Sequence, residues 1–188
     1  NLNRQNLSSV FNPKSIISDV KTDPTFESCQ IVINRVQISK FDGVIAIGGG
    51  SVMDTAKVIM AYIGTGINSL SKLLKNETHF NNRVPSIFIP TTHGTGSEVT
   101  MWGTIWNMSE KKKYSISHPD LYPSIAILDG NLTLSLSLHN SIITVMDALS
   151  HSFESIWNKN ANVTSTAHAI DAISLILKNV EGLKKNLH

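Results

Sequence analysis

The chain has 188 residues, 41% of them hydrophobic and 16% charged, enough apolar content for a packed core and too much for a chain disordered throughout. Sixteen Lys and Arg against fourteen Asp and Glu leave a net charge of +2. The one compact basic run, Lys111 to Lys113, leaves no electrostatic footprint for nucleic acid or an anionic membrane surface. A single cysteine, Cys29, excludes an internal disulfide framework and a cysteine-cluster metal site, and it suits a reducing, cytoplasmic setting. No apolar run approaches a membrane span, and the first ten residues lack the apolar core of a signal peptide. The sequence opens on Asn1 rather than Met, which leads us to expect an excerpt of a longer product.

Four short, β-branched apolar runs read as buried strands of a parallel sheet: Ile16 to Val20, Gly43 to Ile47, Ser86 to Ile89, and SIAIL at 124–128. Helix-like stretches lie between them, at roughly 25–39, at 51–63 and in a short piece from about 95. Strand–helix alternation of this kind predicts a doubly wound α/β layer. The run LTLSLSLH at 132–139 alternates apolar and polar residues and suits a strand or a domain connection equally well. From about Ser141 to Trp157, the residues Ile142, Val145, Met146, Leu149, Phe153 and Ile156 recur at helical spacing, and a second helix fits 164–180. Two helices with no strand after them predict the opening of an all-helical domain. The expected organisation is therefore a Rossmann-like domain over 1–130 and the first helices of a helical domain over 131–188.

Three motifs carry chemistry. In IAIGGGSVMDTAK at 45–57, a strand runs into Gly48, Gly49 and Gly50, with Ser51 placed to cap the following helix. Backbone N–H groups at such a start cradle phosphate. Asp54 and Lys57 fall on the same side of that helix, three and six residues after Ser51. In FIPTTHGTGSEV at 88–99 a second strand ends in a turn rich in Gly, Thr and Ser, where Thr91, Thr92, Thr95 and Ser97 offer hydroxyls. His93, inside this turn, suits a nucleotide contact or a local turn role. In MDALSHSFES at 146–155, Asp147 and His151 are four residues apart and project from one helix face. Carboxylate plus imidazole suits Fe(II), Zn(II) or Mn(II), although an exposed i,i+4 pair on a solvated face has the same spacing.

Taken in order, GGGSVMDTAK, PTTHGTGSEV, AILDG and MDALSHSFES resemble the iron-containing (group III) alcohol dehydrogenase family from about Asp19 onward. The resemblance implies NAD or NADP and a divalent metal, Fe or Zn, shared by a Rossmann-like domain and a helical one. It implies that Gly48, Gly49, Gly50 and Ser51 hold the pyrophosphate, with Asp54 in the same cofactor-binding set. Thr91, Thr92 and Thr95 would line the nicotinamide-ribose side, Lys113 would reach the cofactor, and Asp23 would lie near the adenosine half. Asp147 and His151 match the first two metal ligands; two further histidine ligands of the family, and its first strand, are expected outside these residues. Val145 stands where the family usually has Gly, so a Cβ is expected to crowd backbone packed near the site. TIWNMSEKKKYSI and HSFESIWNKNAN are similar to phosphonoacetaldehyde reductases, with Lys159 placed to meet an anionic substrate.

The activity this implies is metal-dependent hydride transfer between NAD(P)H and a small aldehyde, with no catalytic side chain assigned beyond the metal. The expected partners are a small aldehyde or alcohol and a second copy of the chain, with no nucleic acid and no membrane. Two other readings remain open: a non-catalytic nucleotide-binding fragment, and a lyase on the related dehydroquinate-synthase-like scaffold.

Overall fold

The computed structural model describes residues 9–36, 41–75 and 79–185. The chain divides into two compact units, one formed by Asn1–Ile89 with Ser97–Ile127 and the other by Pro90–Gly96 with Leu128–His188.

The first unit is built on a three-stranded sheet in the order β1 (Val44–Gly48), β2 (Ser86–Pro90), β5 (Ile125–Ala126). Strands β2 and β5 run parallel, with Ile87 opposite Ile125 and Phe88 opposite Ala126, and the Ile127 N–H donates to the Phe88 carbonyl at 2.9 Å. Helix α1 (Phe26–Arg35) begins at a capping box in which Thr25 and Ser28 each accept from the other's backbone N–H. Helix α2 (Gly50–Thr65) ends at Gly66, whose φ of 74° is open to glycine at no steric cost. The short helix α3 (Leu70–Leu73) follows. Cys29, Ile33, Met53, Met60, Leu70, Leu73, Phe88, Ile105 and Leu121 are fully enclosed among these elements. This is a Rossmann-like α/β layer, as the strand–helix alternation predicts.

Three expectations need correction. Ile16 to Val20 forms no strand: a short 3-10 turn at Pro13–Ser15 precedes irregular backbone. A strand exists by its ladder partner, and no described neighbour supplies one there. Helix α1 stops at Arg35, with Val36 as its C-cap in extended conformation; the rest of the stretch expected to 39 lies outside the described residues. The helix expected from about 95 is a single 3-10 turn, Ser97–Val99, and the chain then forms an antiparallel hairpin of β3 (Trp102–Asn107) and β4 (Lys112–Ser117). Its alternating WGTIWN pattern, which buries Gly103 and Ile105 on one face, was readable but was masked by the Gly/Ser/Thr-rich turn before it.

In the second unit the run at 132–139 is a connection and not a strand: a 3-10 turn spans Gly130–Thr133, and α4 (Leu138–Trp157) starts on a Ser137 cap. Helix α5 (Val163–Asn179) opens on an Asn162–Ser165 capping box, and a short α6 (Gly182–Lys185) closes the described chain. Among the described residues, Ser141, Ser152 and Ala169 are the buried ones of these helices, while many of their large apolar side chains stay exposed.

Candidate functional site

In the first unit, β1 delivers the chain to the glycine turn. A Cβ on Gly48 would lie 2.5 Å from Val52 Cγ2, so the turn closes only without a side chain there. Helix α2 starts one residue earlier than expected, with Gly49 as its N-cap and no side chain capping it. Ser51 is therefore not the cap. Its Oγ instead accepts the Asp23 N–H at 3.1 Å, and Asp23 takes a φ of 52°, a conformation Asp tolerates better than most residues. The adjoining Pro24 carbonyl accepts from the Trp106 N–H at 2.8 Å, so the 23–25 turn is fastened to both the glycine turn and the hairpin. An uncapped first turn leaves N–H donors and the positive end of the helix dipole for an anion.

Asp54, one turn further along α2, accepts from Ser97 Oγ at 2.9 Å. Burial pushes its carboxyl above the usual range, opposed by hydrogen bonds from Ser97 and the Thr104 backbone and by the charges of Lys57 and Lys113. Lys57 is fully buried. The three N–H groups of its ammonium are shared among four acceptors, the Ser97 carbonyl, Ser97 Oγ, Thr100 Oγ1 and the Trp102 carbonyl, at 2.6–3.0 Å. Burial pulls it down to about 8, against the opposing fields of Asp54 and Glu98. Lys113, exposed on β4, sits opposite Trp106 in the ladder with its Nζ 5.8 Å from that ring's centre.

In the second unit, Thr91, Thr92 and Thr95 lie half-buried on the turn that follows β2. Gly94, at φ 109°, brings this turn against α4 so closely that a Cβ would fall on the Thr144 carbonyl oxygen. His93 Nδ1 and Thr144 Oγ1 are 3.0 Å apart, which gives His93 a partner in the protein and links the turn to the helix. The close backbone approach is thus made at Gly94 and Thr144. Val145 is free to line a mainly apolar hollow of about 340 Å³ with His93, Gly94, Ala148 and Leu175.

Asp147 and His151 do share a face of α4. Asp147 Oδ1 and His151 Nε2 stand 3.8 Å apart, with side-chain exposures of 43% and 53%. Two donors about 2.1 Å from a common ion lie roughly 3–3.5 Å apart, so a small rotamer change lets both bind one cation. The pair fits as half of a shell. A full shell needs at least two more donors, and among the described residues no group of three or more His, Cys, Asp or Glu is placed to hold a metal.

The sequence named the glycine turn, the threonine turn and the Asp–His pair, and each lies where a loop or helix face exposes it. It gave Lys57 no role beyond its side of the helix. A lysine in a helical pattern reads as a solvated residue, and only the tertiary contact with Ser97–Trp102 reveals otherwise.

A family model described as iron-containing alcohol dehydrogenase matches residues 5–130. The chain is 35% identical over 158 residues to the probable alcohol dehydrogenase EutG of Escherichia coli, an alignment covering 84% of this chain and 40% of that protein. An iron-containing alcohol dehydrogenase from Thermotoga maritima superposes with a TM-score of 0.83 at 32% identity, covering 92% of this chain and 47% of that one. A sulfoacetaldehyde reductase from Bifidobacterium kashiwanohense, solved in complex with NAD+, gives 0.81 at 29% identity, with coverages of 93% and 47%. The chain spans between 20% and 42% of the length of the curated relatives it matches. Two thirds of its residues fall under the family model, and the glycine turn, the threonine turn and the Asp–His helix stand in the order described above: the chain belongs to the iron-containing alcohol dehydrogenase family.

Proposed function

We propose that the whole protein carrying this chain is an NAD(P)-dependent alcohol dehydrogenase or aldehyde reductase that acts on a small aldehyde in the cytoplasm. The observation that carries this reading is the uncapped start of α2 behind Gly48, Gly49 and Gly50, in a chain of this family. A dinucleotide pyrophosphate satisfies its N–H donors and complements its dipole.

Residues 1–130 are assigned to the cofactor and 131–188 to the metal. Gly48 to Ser51 bind the pyrophosphate. Asp54, held by Ser97, and Lys113 orient the cofactor on the hairpin side, and Thr91, Thr92 and Thr95 offer hydroxyls to the nicotinamide ribose. Asp147 and His151 hold a divalent cation, Fe or Zn, together with donors outside these 188 residues. Such a cation supplies Lewis acidity to a carbonyl oxygen. A bound nicotinamide would supply hydride chemistry toward a carbonyl carbon, with the oxygen's proton drawn from solvent, so that NAD(P)H and aldehyde would balance NAD(P)+ and alcohol.

Phosphonoacetaldehyde, reduced to 2-hydroxyethylphosphonate, is the substrate this reading favours. Support comes from Lys159, exposed in the loop just past the end of α4, and from a neighbour that reduces another anionic two-carbon aldehyde.

The test is oxidation of NADH and NADPH by the whole protein with phosphonoacetaldehyde and with uncharged aldehydes of two to four carbons. Turnover that prefers the phosphonate supports the full reading, and equal turnover of uncharged aldehydes removes the substrate and keeps the enzyme class. Binding of NADH without aldehyde-dependent oxidation would leave a non-catalytic nucleotide-binding protein. Release of inorganic phosphate with no net change in NADH would identify a lyase.

A further inference from the structure

Lys57 is a charged side chain at 0% exposure in a unit whose other fully enclosed large side chains are apolar or sulfur-bearing. Stripping water from an ammonium is costly, and good geometry with several acceptors is needed to offset it. The acceptors it finds are not spread through the core. All four belong to Ser97, Thr100 and Trp102, the stretch that leaves the second glycine-rich turn and enters β3. The carbonyls of Ser97 and Trp102 are main-chain atoms, so the ammonium holds the path of the backbone itself.

A second bond reinforces the first. Ser97 Oγ accepts from Lys57 and donates to Asp54 Oδ1, so two residues on successive turns of α2 grip one serine. The approach is close: a Cβ on Gly103 would sit 3.2 Å from the Asp54 carbonyl oxygen and 3.3 Å from Lys57 Cβ. Asp54 and Lys57 are three residues apart on the helix whose first turn is the glycine turn, and Ser97 immediately follows Gly96.

We propose that Lys57 is a positioning residue for the cofactor. Its ammonium fastens the Ser97–Trp102 backbone to α2, the helix whose first turn receives the pyrophosphate in the reading given above. The role rests on the dinucleotide reading given above. Lys57 touches neither cofactor nor substrate; it acts through the backbone it holds.

The test compares wild type, Lys57→Met and Thr100→Val in the whole protein. Thr100→Val removes one of the four acceptors with little change in shape, and it stands in if Lys57→Met does not fold. Titration of protein fluorescence with NADH and NADPH gives cofactor affinity, steady-state kinetics give the KM of each substrate, and hydrogen exchange without ligand reads the amides of 97–102. Expected for Lys57→Met are exchange at least tenfold faster at 97–102, a cofactor Kd and KM about tenfold higher, and an aldehyde KM unchanged. Thr100→Val moves the cofactor values two- to threefold. A folded Lys57→Met with wild-type cofactor affinity overturns the proposal, as does a parallel rise in both KM values, which marks general structural damage. A wild-type protein that binds neither dinucleotide overturns the cofactor reading itself, an outcome separate from either of these.

Discussion

At the scale of single residues, the same lysine has a consequence for stability. Folding lowers its amine from 10.5 to about 8, whereas the unfolded chain keeps the proton to the higher value. Between about pH 8 and 10.5 the unfolded state therefore holds more protons, and raising the pH favours the native state. This contribution is present in full above 10.5 and is lost as pH falls through 8; 2.5 pH units correspond to about 3 kcal/mol. The groups opposing the shift are Asp54 and Glu98. The expected result is that the stability of wild type relative to Lys57→Met, from urea midpoints, improves between pH 7.5 and 10. A pH-independent difference would show that the amine does not titrate in that window. Gly94 gives a second residue-scale test. Gly94→Ala adds both an unfavourable φ and a Cβ on the Thr144 carbonyl, a cost of about 2–4 kcal/mol. Urea unfolding of the variant should display it, and a loss below 1 kcal/mol would mean that the turn can back away from α4.

At the scale of elements, local sequence decides most where the element supplies its own hydrogen bonds. The period-3.6 patterns of 141–157 and 164–180 predict α4 and α5 to within three residues at either end, because helices close their bonds internally. Ile16 to Val20 has strand composition but no neighbour, and β5 keeps only two residues of the five expected. Strand formation depends on partners distant in sequence, which composition does not reveal. The same asymmetry separates the contacts around α2: the turn at Gly48 is legible because its geometry is local, whereas the Ser51–Asp23 contact crosses 28 positions and the Ser97–Lys57 contact crosses 40. Helix α2 adds an element-scale prediction in which two effects oppose each other. Ser51→Glu places a carboxylate in the first turn, where the dipole favours it by about 0.5 kcal/mol, but it sets that charge against an incoming pyrophosphate. NADH affinity should fall at least tenfold, with stability lowered by no more than about 1 kcal/mol, the worth of the lost Ser51–Asp23 hydrogen bond. Unchanged affinity would place the pyrophosphate elsewhere.

At the scale of the whole molecule, the two units differ in how well each covers its own apolar surface. The first encloses Met53, Phe88, Leu70 and Ile105 completely, whereas the second leaves Trp157 at 71% exposure, Leu175 at 61% and Ile143 at 53%. Phe153 stacks on Trp157, with ring centres 5.8 Å apart, and both remain open to solvent. Exposed apolar surface of this kind drives association in water at roughly 25 cal/mol per Å² covered. Residues 1–188 expressed by themselves are accordingly expected to bind a hydrophobic dye strongly and to sediment as concentration-dependent oligomers. Replacing Ile143 and Leu175 with Lys should reduce both signals, since each change removes apolar area and adds like-charge repulsion. The chain's small net charge of +2 offers little repulsion to oppose association before those changes. A monodisperse, dye-silent chain would mean that α4 and α5 repack to cover these side chains themselves. Acrylamide quenching of Trp157 emission, isolated by Phe substitution of Trp102 and Trp106, then separates the cases: strong quenching accompanies an open face, and weak quenching a covered one.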